Sequence, residues 1–407
     1  MMRGGPLIDG LVGAPVPDGT VVVSDGRVSW VGPSAKAPAA PRDAPVIDTQ
    51  GATIMPGLID CHTHMFYERY ATILDIDAKH SIERATINAV LNVKKMLDTG
   101  FTTIRDVGSR GAIGVSVRDA INEGTITGPR VLAGGPIIST TGGLGDFLPQ
   151  WLSNTHSLGL VADGVEEIRT AVRRLVKLGV DVIKLEATGH AISRSGGMRM
   201  ATMTEEEIAA AVREAHKYGK RVAAHAQSLG GILNALRGGV DTLEHGSELD
   251  DECIALLRKG TTVYVPTISN LYSYTEEGRK IGVPESIIEE VDRSAPAWIR
   301  SVKLAKEAGI PIAMGSDVGN RYPNGRNAVE LEMLVRHEFT PLEAIQSATR
   351  ISAYALGLSA ELGTLEVGKQ ADVIAVGPNP LDDIRVLQDS ANVRVVVRGG
   401  RPLKRMT

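Results

Sequence analysis

Two histidines separated by a single threonine end the apolar run LIDCHTHM, Leu58 to Met65. In an extended strand, side chains two apart share a face. His62 and His64 can therefore aim both imidazoles into one space, with Asp60 one step deeper on that face and Cys61 turned away as packing. Other chemistry-bearing side chains stand in or at the ends of short apolar runs. Lys184 lies within VIKLEAT (Val182 to Thr188), His225 closes RVAAHA (Arg221 to Ala226), His245 closes TLEHG (Thr242 to Gly246) and Asp317 closes IPIAMGSD (Ile310 to Asp317). Four of the nine histidines thus fall at strand ends. The other five are His80, His156, His190, His216 and His337, and the helical patterns around His216 and His337 predict solvated rings.

Imidazole and carboxylate together are borderline ligands suited to Zn²⁺ and its neighbours in the first transition row. Lys184 looks out of place in such a set, because an ammonium cannot ligate a cation. A buried lysine amine of lowered pKa, however, can react with CO₂ to give a carbamate, an anion able to bridge two metals. The alternative is an ion pair between Lys184 and Glu186, two along on the same face. For Asp317 the alternative is a turn cap, since SDVGN is rich in turn residues.

These donors need elements to bring them together. Short β-branched runs recur at LIDCH, FTTIRDV (Phe101 to Val107), RVLAGG (Arg130 to Gly135), VIKLEAT, RVAAHA, TLEHG, TVYVPT (Thr262 to Thr267) and IPIAMGSD. Helical patterns lie between most of them. TEEEIAAAVREAHKYG (Thr204 to Gly219) opens on a capping box of Thr204 and Glu207 and stops at Gly219. TPLEAIQSATRISAYAL opens in the same way, with Thr340 as N-cap, Pro341 at the first helical position and Glu343 closing the box. Eight strands alternating with helices predict an α/β protein, a (β/α)₈ TIM barrel, over residues 56–364, whose C-terminal strand ends would form one rim. The ends of the chain read differently. TVVVSDGRVSWVG (Thr20 to Gly32) is a hairpin with a Ser-Asp-Gly turn, and ADVIAV with VRVVVRGGRPL repeats that texture near the C-terminus. Residues 1–55 plus 365–407 are therefore expected to form a composite β-sandwich domain.

Composition removes several function classes. A chain of 407 residues with 43% hydrophobic and 23% charged residues is ordinary for a soluble globular protein. A net charge of −4 with mixed signs argues for neither nucleic acid nor an anionic membrane as partner. No window offers the apolar stretch of a membrane span, and MMRGGPLIDG lacks a signal core. Two cysteines, Cys61 and Cys253, are too few for a disulfide framework, so a cytoplasmic location is expected.

The stretches IMPGLIDCHTHM, TGFTTIRDVG, GVDVIKLEATG, VAAHAQSLGGILNALRGGVDTLEHGSELDD, GIPIAMGSD and GTLEVGKQADVIAV, taken in order, resemble the amidohydrolase superfamily. Within it they resemble the branch of imidazolonepropionase-related enzymes, Xaa-Pro and similar dipeptidases and ochratoxin-type amidases. The resemblance implies a binuclear metal centre: His62, His64 and Asp317 on the more buried ion, a carboxylated Lys184 as bridge, His225 and His245 on the second. It also implies that Asp317 shuttles the proton, that the ions are Zn²⁺ and that the chain forms a homo-oligomer.

The departures from that family lie around the substrate. TTGGLGD carries Leu144 where peptidase relatives often have a histidine, Gln227 stands where many have histidine or tyrosine, and ATGHAIS adds His190 near the mouth. Tyr264 and Arg321 are candidates for a substrate carboxylate, against core packing and a solvated loop respectively. SNLYSYTEEGRKIGV (Ser269 to Val283) reads as a lid or as an exposed connection. The expected reaction is cleavage of an amide bond in a small molecule, a dipeptide or an N-acyl amino acid. Ester, lactone or phosphotriester hydrolysis by the same two-metal site is the alternative. A deaminase is disfavoured, because HAQSLGG lacks the glutamate such enzymes carry after the fifth-strand histidine. A non-catalytic scaffold is disfavoured because all six ligand positions are filled.

Overall fold

A computed structural model describes residues 1–146, 148, 151, 157–191 and 197–405; His156 lies outside them. The apolar runs become parallel strands that follow one another around a ring. Leu58–Thr63 pairs with Phe101–Asp106, which pairs with Arg130–Ala133. The chain then kinks at Gly134–Gly135, with Gly135 at φ 63°, and resumes as Ile137–Ser139 beside Val182–Glu186. The third strand is thus one run broken in two by glycine. Arg221–Ala226, Thr242–His245 and Val263–Val265 complete the parallel series.

The eighth run differs from the regular strand expected of IPIAMGSD. Residues 310–318 form only isolated bridges, yet they join the two free edges. On one side Tyr264 N donates to Pro311 O and Ala313 N to Tyr264 O; on the other Cys61 N donates to Met314 O and Asp317 N to His62 O. Gly315 permits this approach, because a Cβ there would lie 2.8 Å from the His62 Cβ and 2.4 Å from Val265 Cγ1.

Helices cover the ring. Glu205–Lys217 has the expected capping box, with Thr204 Oγ1 accepting from Glu207 N and Glu207 Oε2 accepting from Thr204 N, and it buries Ile208, Ala211, Val212 and Ala215. Thr340 and Glu343 cap Pro341–Gln346 in the same way. Among the described residues no helix is long and apolar enough to cross a membrane.

The chain ends meet in one eight-stranded sheet, in which Thr53–Pro56 pairs with Val373–Val376. Its core holds Val21, Val28, Ile54, Val373, Ala375 and Val395. Both hairpin turns read from sequence have positive φ at their two central residues, Asp25 (51°) with Gly26 (77°) and Gly399 (53°) with Gly400 (77°). That is the twist a two-residue hairpin turn requires.

Strict alternation fails in the first barrel strand. Asp60 faces Ile104 but Thr63 faces Asp106, so Cys61 and His62 together oppose Arg105. The extra residue is a bulge, and it redirects side chains. Asp60 does not stand beneath the histidines in the shared space; its carboxylate accepts from His62 N, from Ser316 N and Oγ, and from Asn327 Nδ2. Cys61 is buried packing, as expected, in a cluster with Ile59, Val263, Val265 and Ala313.

Candidate metal centre

The rim of the ring gathers all six expected donors around one cavity, lined by His62, His64, Lys184, His225, His245 and Asp317. Asp317 Oδ1 lies 3.7 Å from His62 Nε2 and 3.4 Å from His64 Nε2. One ligand atom from each of these three falls within 4.8 Å of the others, close enough for a shared cation. The His225 and His245 rings are 4.5 Å apart, and His245 is 4.9 Å from His62.

Outer partners orient most of the rings, as is usual for metal-ligating histidines. His62 Nδ1 is 2.7 Å from Glu244 Oε2. His64 Nδ1 faces Gly108 O at 3.3 Å, and its ring stacks on Tyr67. His245 Nδ1 is 2.7 Å from Thr267 Oγ1. His225 is held the other way round, with Nε2 3.2 Å from Gly189 O and Nδ1 3.7 Å from Glu186 Oε2. The Asp317 carboxylate is steered by Asn270 Nδ2 (2.6 Å) and Asn320 Nδ2 (2.8 Å).

Backbone conformation is unusual at the same places. His245 (φ 67°), Thr267 (φ 49°) and Asp317 (φ 53°) all occupy the left-handed region. Non-glycine residues there cost about 1–3 kcal/mol each and persist where the surroundings over-determine them.

Electrostatics favours neutral rings at His62, His225 and His245 and a charged aspartate. Burial holds His225 and His245 well below the usual imidazole range, and burial with nearby Lys184 brings His62 down to about 4. Burial alone would raise Asp317, but His62, His64 and Arg321 together hold its carboxyl well below the usual range. Lys184 is 2% exposed, and burial lowers its pKa despite Glu244 and Glu186 nearby. Its amine makes no hydrogen bond or ion pair to a described residue, so the pairing with Glu186 is not formed. Glu186 is raised to about 8 by burial, against the pull of Lys184, and its Oε2 has no hydrogen-bond partner. Neutral imidazoles at His62, His225 and His245, a charged carboxylate and a buried amine of lowered pKa fit a site for divalent cations.

The expected substrate residues separate. His190 and Arg321 line the metal cavity. Burial, with Arg321 nearby, lowers His190 to about 3; its Nε2 lies 3.4 Å from the Tyr274 hydroxyl. Arg321 is not a solvated loop residue: Nε donates to Ser273 Oγ at 3.0 Å, Nη2 to Asn270 Oδ1, and the guanidinium lies over the Tyr274 ring at 3.6 Å. Leu144 joins Ile76, Ile137 and Leu158 on an apolar wall. Tyr264 does not reach the cavity: fully buried, it donates to the carbonyls of His245 (2.9 Å) and Gly246 (3.2 Å) and so supports the turn after the sixth strand. Gln227 lines a separate cavity. The Ser269–Val283 stretch is neither an open loop nor detached, since its helices place Asn270 and Tyr274 at the site. His216 is exposed and bonded to Asp241, but His337 is half-buried and bonded to the Tyr272 hydroxyl rather than solvated.

Sequence reasoning missed Glu244 and Arg105. Arg105 Nη2 donates to Glu244 Oε1 at 2.7 Å, Nη1 to Thr242 at 2.9 Å and Nε to Cys61 O at 2.5 Å. A charged residue inside each of the apolar runs FTTIRDV and TLEHG was the available signal, because buried charges are paired.

The Amidohydrolase family model matches residues 53–403. The ochratoxinase of Aspergillus niger is 34% identical over 96% of this chain and 84% of its own length. The imidazolonepropionase of Sphingopyxis alaskensis is 26% identical over 88% and 86%. A crystal structure of a Xaa-Pro dipeptidase with bound methionine superposes with a TM-score of 0.90 at 33% identity, covering 99% of both chains. With a ring of parallel strands, a His-His-Asp group at its rim and these relatives, the chain belongs to the amidohydrolase family, hydrolases acting on carbon–nitrogen bonds.

Proposed function

We propose that the protein hydrolyses the amide bond of a dipeptide or N-acyl amino acid at a binuclear metal centre. His62, His64 and Asp317 would hold one cation, His225 and His245 the other, and a carbamate on Lys184 would bridge them. When bound, a pair of divalent ions, Zn²⁺ by its preference for these donors, supplies a water of lowered pKa and polarises the scissile carbonyl. The observation that carries this reading is Lys184, a buried amine with no carboxylate in ion-pair contact, whose pKa burial lowers, beside His225 and His245, which burial keeps neutral.

The chain's own residues account for the remaining steps. Asp317, fixed by Asn270 and Asn320, takes the proton of the attacking water and returns it to the leaving amine. Arg321 lines the metal cavity with two of its nitrogens held by Ser273 and Asn270, while Nη1 has no hydrogen-bond partner among the described residues. It binds the carboxylate of the leaving amino acid. The wall of Ile76, Ile137, Leu144 and Leu158 accepts an apolar side chain. The names of the ochratoxinase and the Xaa-Pro dipeptidase support an amide substrate.

Metal-loaded protein screened against dipeptides, N-acyl amino acids, lactones and aryl esters tests the reading. Amide cleavage is expected; cleavage of esters alone would move the activity to the ester, lactone or phosphotriester class. Arg321→Met is expected to raise KM for substrates with a free carboxylate by about 10–100-fold, from ~1.5–3 kcal/mol for a hydrogen bond to a charged group. The corresponding carboxamides should be little affected, and equal effects on both would remove Arg321 from carboxylate binding.

A further inference from the structure

Beside the metal cavity is a second one of about 410 Å³ that shares none of its lining residues. Its floor comes from the strand ends that carry metal ligands, with Gln227 two residues past His225 and Ser247 two past His245. Both side chains are 1% exposed. The Gln227 amide oxygen and nitrogen and the Ser247 hydroxyl have no hydrogen-bond partner. Buried polar groups are nearly always partnered, because an orphan forfeits its hydration.

The remaining lining carries charge. Arg199 and Arg293 are exposed, Glu248 and Glu290 half-buried. No ion pair joins these four to one another or to any other described residue. Glu248 uses Oε2 to accept from Leu229 N at 3.0 Å, which leaves Oε1 free. Two guanidiniums, two carboxylates, an amide and two hydroxyls, of which that of Ser294 donates to Val291 O, thus surround one space, with Met198 and Ala297 as apolar wall. Such a balanced, unpaired set complements a zwitterion better than an ion of either sign.

We propose that this cavity binds a free amino acid with an aliphatic side chain. Its carboxylate meets Arg199, Arg293 and the Gln227 and Ser247 donors. Its ammonium meets Glu248, Glu290 and the Gln227 amide oxygen, and its side chain lies on Met198 and Ala297. The site is independent of which bond the metal centre cleaves, so it stands or falls apart from the substrate proposed above.

Calorimetric titration of the intact, metal-loaded protein with L-leucine tests it, with 4-methylpentanoate (no ammonium) and isoamylamine (no carboxylate) as comparisons. Leucine should bind, and each comparison compound about tenfold or more weakly, as loss of charged hydrogen bonds requires. Gln227→Leu and Arg293→Met should each weaken leucine by a similar factor, whereas Asp317→Asn should leave it unchanged. Gln227→Leu removes an orphan amide and should melt no lower than the parent, which separates lost binding from lost folding. No leucine binding, equal binding of either comparison compound, indifference to both cavity variants, or loss in Asp317→Asn would each overturn the proposal; the last would place leucine in the metal cavity.

Discussion

His62, His64 and Asp317 each bring one ligand atom within 4.8 Å of the others, whereas Lys184, His225 and His245 share a cavity in which no carboxylate oxygen is in ion-pair contact with the amine. In the first group one carboxylate oxygen sits within 3.4 and 3.7 Å of two imidazoles, and two asparagines fix the carboxylate. In the second group the rings are neutral by burial and Lys184 stands unpaired. One half of the site is a preassembled ligand set. Under the proposed reading the other half would be completed by chemistry on a side chain, since a carbamate would turn the Lys184 amine into an anion beside His225 and His245.

The largest expected effect comes from the second half. Lys184→Ala should drop activity to background and lower bound metal by elemental analysis, with partial recovery on adding a short carboxylic acid that replaces the carbamate. Undiminished activity and metal content would erase the difference between the halves. Next is Asp317→Asn, expected to retain metal while kcat falls by about 10²–10⁴-fold, the usual range for losing a general acid–base group; near-native turnover would take the proton transfer away from Asp317.

Glu244→Gln probes the support beneath the first half. It leaves His62 a hydrogen-bonding neighbour but removes the charge that Arg105 meets at 2.7 Å. Metal affinity should fall by about 10–100-fold. Stability in denaturant should also fall, by up to about 3–5 kcal/mol, because a buried guanidinium is left uncompensated. Unchanged stability would show that Arg105 is neutralised elsewhere. The smallest effect belongs to Tyr264→Phe, expected to cost about 1 kcal/mol from the lost hydrogen bond with KM unchanged. A large rise in KM would restore Tyr264 to the substrate.

Legibility in the sequence followed locality. Capping boxes at Thr204 and Thr340 and the hairpins at Asp25–Gly26 and Gly399–Gly400 depend on neighbours a few residues apart, and all formed as read. Donor types at strand ends were equally legible, since a parallel ring brings those ends to one rim whatever the intervening helices contain. Side-chain direction was not. The bulge at Cys61–His62 turned Asp60 toward Ser316 and Asn327, and Tyr264 and Gln227, which alternation could place at the mouth, point elsewhere.

The sequence by itself determined which residue types stand where strands end, and so that imidazoles, a lysine and a carboxylate would share one rim. It also determined the turns and helix starts, whose energetics are settled within a few residues. Only the tertiary structure decided which atoms face inward. Left-handed backbone at His245, Thr267 and Asp317, and the Glu244–Arg105 pair behind His62, are sustained by contacts between segments far apart in the chain. Such conformations cost energy locally and are repaid only by packing.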